Sequence, residues 1–321
     1  MRALLERYDA LEPIARTAVV VALVLVLATI ASWALRRSAA RGRASPKLAG
    51  EVWQRTRSWW VMASVFFAGV AISPWVTLVL FAFMSFWALK EYLTLLHTRP
   101  ADHRAILWAF LAIPLQYAWI AIGWDGMFLV FIPVWMFLWL PLRLVLARET
   151  HGFLAAMSQI QWGLMAFVFG LSHLAWLATW TPAAMGGLDG RALLLFLVFT
   201  VEMSDVLQFC FGKLFGRRPI LPTVSPNKTW EGFVLGVLSA SALALVLQYL
   251  TPFNAWETFG AALVACVTGF CGGAVMSAVK RDFGAKDFGT LLPGHGGMID
   301  RVDSLCYAAP AFVHIVRWLN T

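Results

Sequence analysis

Ten apolar stretches, most of them long enough to cross the hydrocarbon of a bilayer, follow one another along this chain with short polar connections between them. They are residues 14–35, 58–73, 75–92, 105–123, 127–147, 153–177, 192–212, 231–250, 257–279 and 304–320. A helix rises about 1.5 Å per residue, so about 20 mostly apolar residues are needed to span about 30 Å of hydrocarbon. The pattern predicts an all-α fold, a polytopic integral membrane helical bundle of about nine or ten transmembrane helices. With 60% hydrophobic and 13% charged residues, the 321-residue chain has too little polar surface to coat a water-soluble globule. One compact membrane domain is expected, with residues 1–200 as its N-terminal helices and residues 201–321 as the region where charge concentrates.

The first run is too long for the core of a signal peptide and is read as a helix. Ser73 and Pro74 interrupt a run too long for one crossing, and proline disfavours helical geometry in the residue before it, so a tight turn is expected there. Cys210, Cys266, Cys271 and Cys306 lie in or beside apolar runs without metal-ligand spacing and read as buried free thiols. His97, His103, His151, His173 and His314 show no ligand spacing, so core or loop roles suffice for them. Trp59, Trp60, Trp108, Trp176 and Trp180 lie near run ends, where an interfacial belt accounts for them.

Of the 25 Lys and Arg residues, 20 fall on one set of alternate connections, leaving Arg2, Arg7, Arg16, Arg191 and Arg317 for the other. Cytoplasmic connections keep positive charge during insertion, so both termini are expected outside and the 36–57, 213–230 and 280–303 connections in the cytoplasm. The formal charge of +8 comes without a basic helix, zinc spacing or aromatic RNA-binding motif, which argues against nucleic acid as a partner. Anionic lipid headgroups and anionic substrates explain it better, and the Arg-rich 36–57 connection reads as a basic linker or a topology signal.

Three polar constellations stand out against this apolar background. The densest runs from Ser277 through Lys280, Arg281, Lys286 and Asp287 to Gly294-His295-Gly296-Gly297, Asp300, Arg301 and Asp303. Charge placed where two apolar runs end is costly unless it meets a ligand, a metal or water. Asp300 and Asp303 are three residues apart at a helix start and so share a side. Paired carboxylates beside a phosphate site suit magnesium, which takes one or two protein oxygens and shares the rest with phosphate. The glycines allow positive φ and close approach of backbone amides to phosphate oxygens. Lys280, Arg281, Lys286 and Arg301 supply cations.

The second constellation is Ser225-Pro226-Asn227-Lys228-Thr229-Trp230-Glu231-Gly232, where Thr229 can cap the following helix and Lys228 adds a cation; alone it reads equally as an ordinary helix start. The third is Glu202 with Asp205 inside an apolar run. An ionisable group there defaults to a functional reading, either completing a metal site with Asp300 or Asp303 or bonding between helices.

Ser277 to Asp303, as S-x-x-K-R-x4-K-D followed by P-x-H-G-G-x-x-D-R-x-D, resembles the signature of the phosphatidate cytidylyltransferase (CDP-diacylglycerol synthase) family over 27 consecutive places. Ser225 to Gly232 is similar to that family's S-P-K-K-T-x-E-G element, and Asp205 matches its membrane-embedded aspartate. The resemblance covers about the C-terminal third. It implies transfer of CMP from CTP to phosphatidic acid, giving CDP-diacylglycerol and pyrophosphate, with Mg2+ as cofactor, at the cytoplasmic face of a bacterial inner membrane.

On that basis the metal-binding aspartates are Asp300 and Asp303, with Asp205 joining them, and Ser277, Lys280 and Asp287 stand with them as catalytic. Ser225, Lys228, Thr229, Arg281, Lys286, His295, Gly296, Gly297 and Arg301 are expected at the substrates. The expected partners are CTP, phosphatidic acid and the lipid bilayer, and a homodimer is compatible with such a chain. The chain departs from the pattern at Gly273, where many bacterial members carry Asp, at Asn227 for Lys, and at Gln208-Phe209 for Ala-Tyr. Three other readings stand beside this one: cytidylyl transfer to a different lipid phosphate, a non-enzymatic transporter of anionic lipids, and a lipid kinase that uses CTP.

Overall fold

A computed structural model describes residues 12–146, 151–180, 189–285, 287–289, 291 and 296–319. Each of the ten apolar runs is a helix. In chain order these are α1 (Pro13–Ala40), α2 (Pro46–Ile72), α3 (Pro74–Leu95), α4 (Pro100–Ala121), α5 (Asp125–Val145), α6 (Phe153–Thr179), α7 (Gly190–Phe215), α8 (Trp230–Leu250) and α9 (Ala255–Asp282), then a single turn α10 (Ile299–Val302) and α11 (Leu305–Leu319). Eight of them are long and apolar enough to cross a membrane by length and composition. The N-terminal half of α2 is interrupted by Lys47, Glu51, Arg55 and Arg57. At 15 residues, α11 reaches only about 22 Å.

Local chemistry sets the ends of these helices. Pro13, Pro46 and Pro74 stand in the first turn of α1, α2 and α3, where a missing N–H costs nothing. Ser73 is the whole connection between α2 and α3: extended at φ −169°, it accepts a hydrogen bond from the Val76 amide at 3.2 Å. The expected break is therefore a one-residue corner. At the start of α9, Asn254 accepts from the Trp256 and Glu257 amides while Glu257 accepts from the Asn254 amide, a reciprocal cap. Arg191, in the first turn of α7, donates to the Val70 and Ala71 carbonyls, which the end of α2 leaves without helical partners.

The main core is an apolar cluster to which α2 to α11 all contribute, with Phe81, Phe128, Phe167, Phe196 and Phe312 fully enclosed, and a smaller cluster of Val237, Ala240 and Cys266 lies between α8 and α9. By contrast α1 buries only Thr17, Leu25 and Ser32, and presents Leu23, Leu27 and Ile30 outward. Residues Phe131–Met136 of α5 widen to a π turn at Pro133, which has no N–H to give. The Gln116 and Gln161 side chains donate to the Phe128 and Ile132 carbonyls beside and within that turn, so polar backbone in the apolar interior stays partnered.

Close helix approach depends on small residues. A Cβ on Gly232 or Gly236 of α8 would stand 2.8 or 2.6 Å from backbone atoms of α7 at Gln208, so these two helices pack nearly backbone to backbone. Trp176 differs from the belt expected for it: it is 3% exposed and stacks on Phe128 and Trp180, and its indole N–H donates to Asp125 at 2.8 Å. The thiols divide, with Cys266 and Cys306 buried and Cys210 and Cys271 exposed on the helix surface.

The one departure from an all-helical chain among the described residues is a two-stranded antiparallel hairpin, β1 (Pro219–Leu221) and β2 (Ser225–Thr229), with Pro219 opposite Thr229 and Leu221 opposite Ser225. The segment expected as a helix start is thus a strand running straight into α8.

Candidate active site

The hairpin, the C-terminal ends of α7 and α9, and the start of α10 meet at one end of the bundle. Thr229 leaves β2 in an extended conformation, and its hydroxyl accepts from the Gly232 amide at 3.2 Å, capping α8. Glu231 bonds back to the Arg217 and Arg218 amides, fastening the hairpin to the end of α7. Arg281, at the end of α9, donates to the Val224 carbonyl at 3.2 Å and ties the hairpin from the other side.

So framed, Lys228 turns inward. Its Nζ lies 4.8 Å from the centre of the Phe270 ring and 3.0 Å from where a Cβ on Gly273 would stand. Gly273 therefore leaves the space that this ammonium fills. Burial lowers the pKa of Lys228 below the ordinary lysine value, with Lys280 pushing the same way and Asp205 and Asp303 opposing.

Ser304 joins two carboxylates: its amide donates to Asp303 at 2.8 Å and its hydroxyl to Asp205 at 2.7 Å. Burial raises the pKa of Asp303 above the ordinary aspartate value, while Lys280, the Ser304 amide, Lys228 and Arg301 hold it down. Glu202 lies within electrostatic range of Asp205, Asp303 and Arg301. The Nε of Arg301 is buried without a hydrogen-bond partner among the described residues. A buried donor in that state is costly unless an acceptor from outside the chain completes it.

Asp300 has different company. One oxygen pairs with Lys280 Nζ at 2.6 Å, and the other accepts from the Phe288 amide at 3.0 Å and the Gly297 amide at 2.9 Å. The amide of Gly297 is thereby engaged by the chain itself. Gly296 has φ +80° and sits against Asp300, with exposed Asp287 alongside. Ser277 bonds back to the Gly273 carbonyl at 2.7 Å, and Ser225 opens β2, half-buried. Lys286 and His295 lie outside the described residues.

Among the described residues, no group of three or more His, Cys, Asp and Glu side chains is arranged to hold a metal ion. The pair Asp205 and Asp303 does fit a magnesium ion that takes one or two protein carboxylates and completes its shell with phosphate oxygens and water. Asp300 would add to that set only by releasing Lys280.

One residue at this site carries no local sequence signal. Glu91, in the last turns of α3, is 8% exposed and accepts from the Met298 amide at 2.9 Å and the Ile299 amide at 3.1 Å. It lies near the end of the apolar run 75–92, beside Lys90, where no motif of the sequence singles it out. The general cost of burying an ionisable group in such a run was the signal available to find it.

Residues 53–319 match the model of the Cytidylyltransferase family. Over 270 residues the chain is 43% identical to the uncharacterized protein YnbB of Escherichia coli K12, covering 84% of this chain and 88% of that one. It is 29% identical over 254 residues to a phosphatidate cytidylyltransferase of Staphylococcus haemolyticus, covering 78% of this chain and 94% of that one. Against a phosphatidate cytidylyltransferase of Mycobacterium leprae it is 38% identical over 155 residues, covering 46% and 48%. A basic and acidic cluster that includes the unpartnered Nε of Arg301, at one end of a membrane-type bundle, accords with these matches, and the chain belongs to the cytidylyltransferase family of enzymes.

Proposed function

We propose that this enzyme transfers CMP from CTP to phosphatidic acid at the cytoplasmic face of the membrane, forming CDP-diacylglycerol and pyrophosphate. The observation that carries this reading is the cluster of Lys228, Lys280 and Arg301 around Asp205, Asp303 and Asp300. It offers cations to two polyanions that otherwise repel each other. The names of the Staphylococcus and Mycobacterium relatives support phosphatidate as acceptor. The same end of the bundle bears Lys213, Arg217, Arg218 and Arg281, the basic side that points to the cytoplasm.

In the proposed reaction a phosphatidate phosphate oxygen attacks the α-phosphorus of CTP in line. The bond to the bridging oxygen of the β-phosphate breaks, and pyrophosphate leaves with that electron pair. No general base is needed, because a phosphate monoester with a second pKa of about 6 is already largely ionised at neutral pH. Arg301 directs its unpartnered Nε–H to a phosphate oxygen, and Lys228 and Lys280 offset charge on the leaving group. Ser304 holds Asp205 and Asp303 together. A magnesium ion bound by Asp303 and Asp205 would supply further charge neutralisation of the triphosphate.

The test is incubation of purified protein with radiolabelled CTP, magnesium and a panel of lipid phosphates. CDP-diacylglycerol from phosphatidate in preference to polyprenyl or ether-lipid acceptors supports the reading. Label transferred only to another lipid phosphate replaces the acceptor. Movement of anionic lipid across vesicles without CTP, and no nucleotide product, replaces the reading with a transporter.

A further inference from the structure

We infer that Glu91 is a positioning residue for this reaction, a side chain of α3 whose carboxylate fixes the loop that presents Asp300, Arg301 and Asp303. This rests on the reading of that loop as the reacting site. The N–H groups of Met298 and Ile299 open the turn α10 and have no partner within it; Glu91 receives one on each carboxylate oxygen. The neighbouring amide of Gly297 goes to Asp300. Three successive backbone donors of the glycine loop are thus taken by carboxylates of the chain itself.

The fit around Glu91 is tight from two sides. A Cβ on Gly289 would stand 2.8 Å from Glu91 Oε1, and a Cβ on Gly297 would collide with Oε2. Both positions therefore need glycine for a reason unrelated to phosphate: the loop closes over a buried carboxylate. Since Ile299 lies 208 positions after Glu91 in sequence, this clamp makes the site depend on α3, outside the C-terminal third that bears the signature. With the loop amides occupied, the side chains of Arg301, Lys280 and Lys228 are left to meet the substrate phosphates.

A misplacement of about 1 Å in a reacting group can cost on the order of 10² in rate. Glu91→Ala in the full chain, in lipid nanodiscs, is expected to lower kcat about 100-fold per folded molecule, with KM for phosphatidate changed less than about twofold. Glu91→Gln keeps the shape and one acceptor but turns an N–H toward an amide, and is expected to fall between, about 10-fold down. Hydrogen exchange read by mass spectrometry is expected to speed up across residues 296–303 in both variants, with the rest of α3 unchanged.

A role in overall stability alone would lower the melting temperature and leave kcat per folded molecule intact, which would overturn the inference. Unchanged loop exchange in Glu91→Gln, the milder variant, would also overturn it, even if Glu91→Ala fails to fold. A wild-type protein that makes no CDP-lipid would defeat the proposed function instead, while the exchange result would still judge whether Glu91 holds the loop.

Discussion

Lys280 Nζ lies 2.6 Å from Asp300 Oδ1, joining the last turns of α9 to the short turn that opens the signature's final segment. The aspartate side chain is 5% exposed and the lysine 19%, so neither charge is well solvated. Removing one partner of such a pair strands the other, which typically costs about 3–5 kcal/mol.

Asp300→Asn is therefore expected to destabilise the end of α9 and the loop together, because it also weakens the acceptor of the Phe288 and Gly297 amides. A melting temperature lowered by several degrees, with turnover lost, is the expected result. Lys280→Met should give a comparable loss of turnover. Thermal unfolding monitored beside activity checks both.

Ser304→Ala removes the hydroxyl that bonds Asp205 while leaving the amide that bonds Asp303. A hydrogen bond to a charged group contributes about 1.5–3 kcal/mol. Turnover is expected to fall roughly 10-fold or more, and the magnesium concentration giving half-maximal rate to rise. A magnesium titration of wild type and variant measures the two effects separately.

Gly272 and Gly273 are neighbours with opposite tolerances. A Cβ on Gly272 would stand 2.5 Å from the Asp303 carbonyl oxygen, which is backbone, so α9 and α11 would have to move apart. A Cβ on Gly273 would meet the tip of Lys228 at 3.0 Å, a flexible side chain, with the Ser304 hydroxyl at 3.4 Å and Asp303 Oδ2 at 3.9 Å in ordinary contact. Gly272→Ala is expected to cost about 1–3 kcal/mol through overpacking. Gly273→Ala is expected to fold normally, and comparative thermal unfolding of the two purified variants decides.

Lys228→Met removes a half-buried ammonium that interacts with Asp205 and Asp303. Loss of one such preorganised charge is expected to cost on the order of 10² in turnover. Lys228→Arg keeps the charge with a wider head in the space left by Gly273 and is expected to retain part of the rate. Steady-state kinetics with varied CTP show whether kcat or KM carries the loss.

The fold was legible because its signal is length. Each apolar run became a helix, since a backbone in hydrocarbon has few other ways to satisfy its N–H and C=O groups. The helix ends were less legible: α1 continues to Ala40 past Arg36 and Arg37, whose long side chains can reach polar surroundings from inside a helix. The hairpin was missed because Ser225 to Thr229 contains no alternating apolar residues to mark a strand.

At the site, chain spacing brought out Asp300, Asp303, Lys280 and Lys228, but could not say which cation meets which carboxylate. The three-residue spacing of Asp300 and Asp303 places both near Lys280, yet the loop amides claim Asp300 and Ser304 claims Asp303. Glu91 stayed hidden because its partners are backbone amides far along the chain, and no local pattern encodes such a contact.

The proposed reaction needs carboxylates at one end of the bundle, with Asp303 foremost, to let a nucleoside triphosphate and a lipid phosphate meet. Asp303→Asn, purified and shown to be folded, measured for label transfer from CTP to phosphatidate with magnesium, tests it most directly. No CDP-lipid above background is expected from the variant; turnover near that of the wild type would overturn the role given to Asp303.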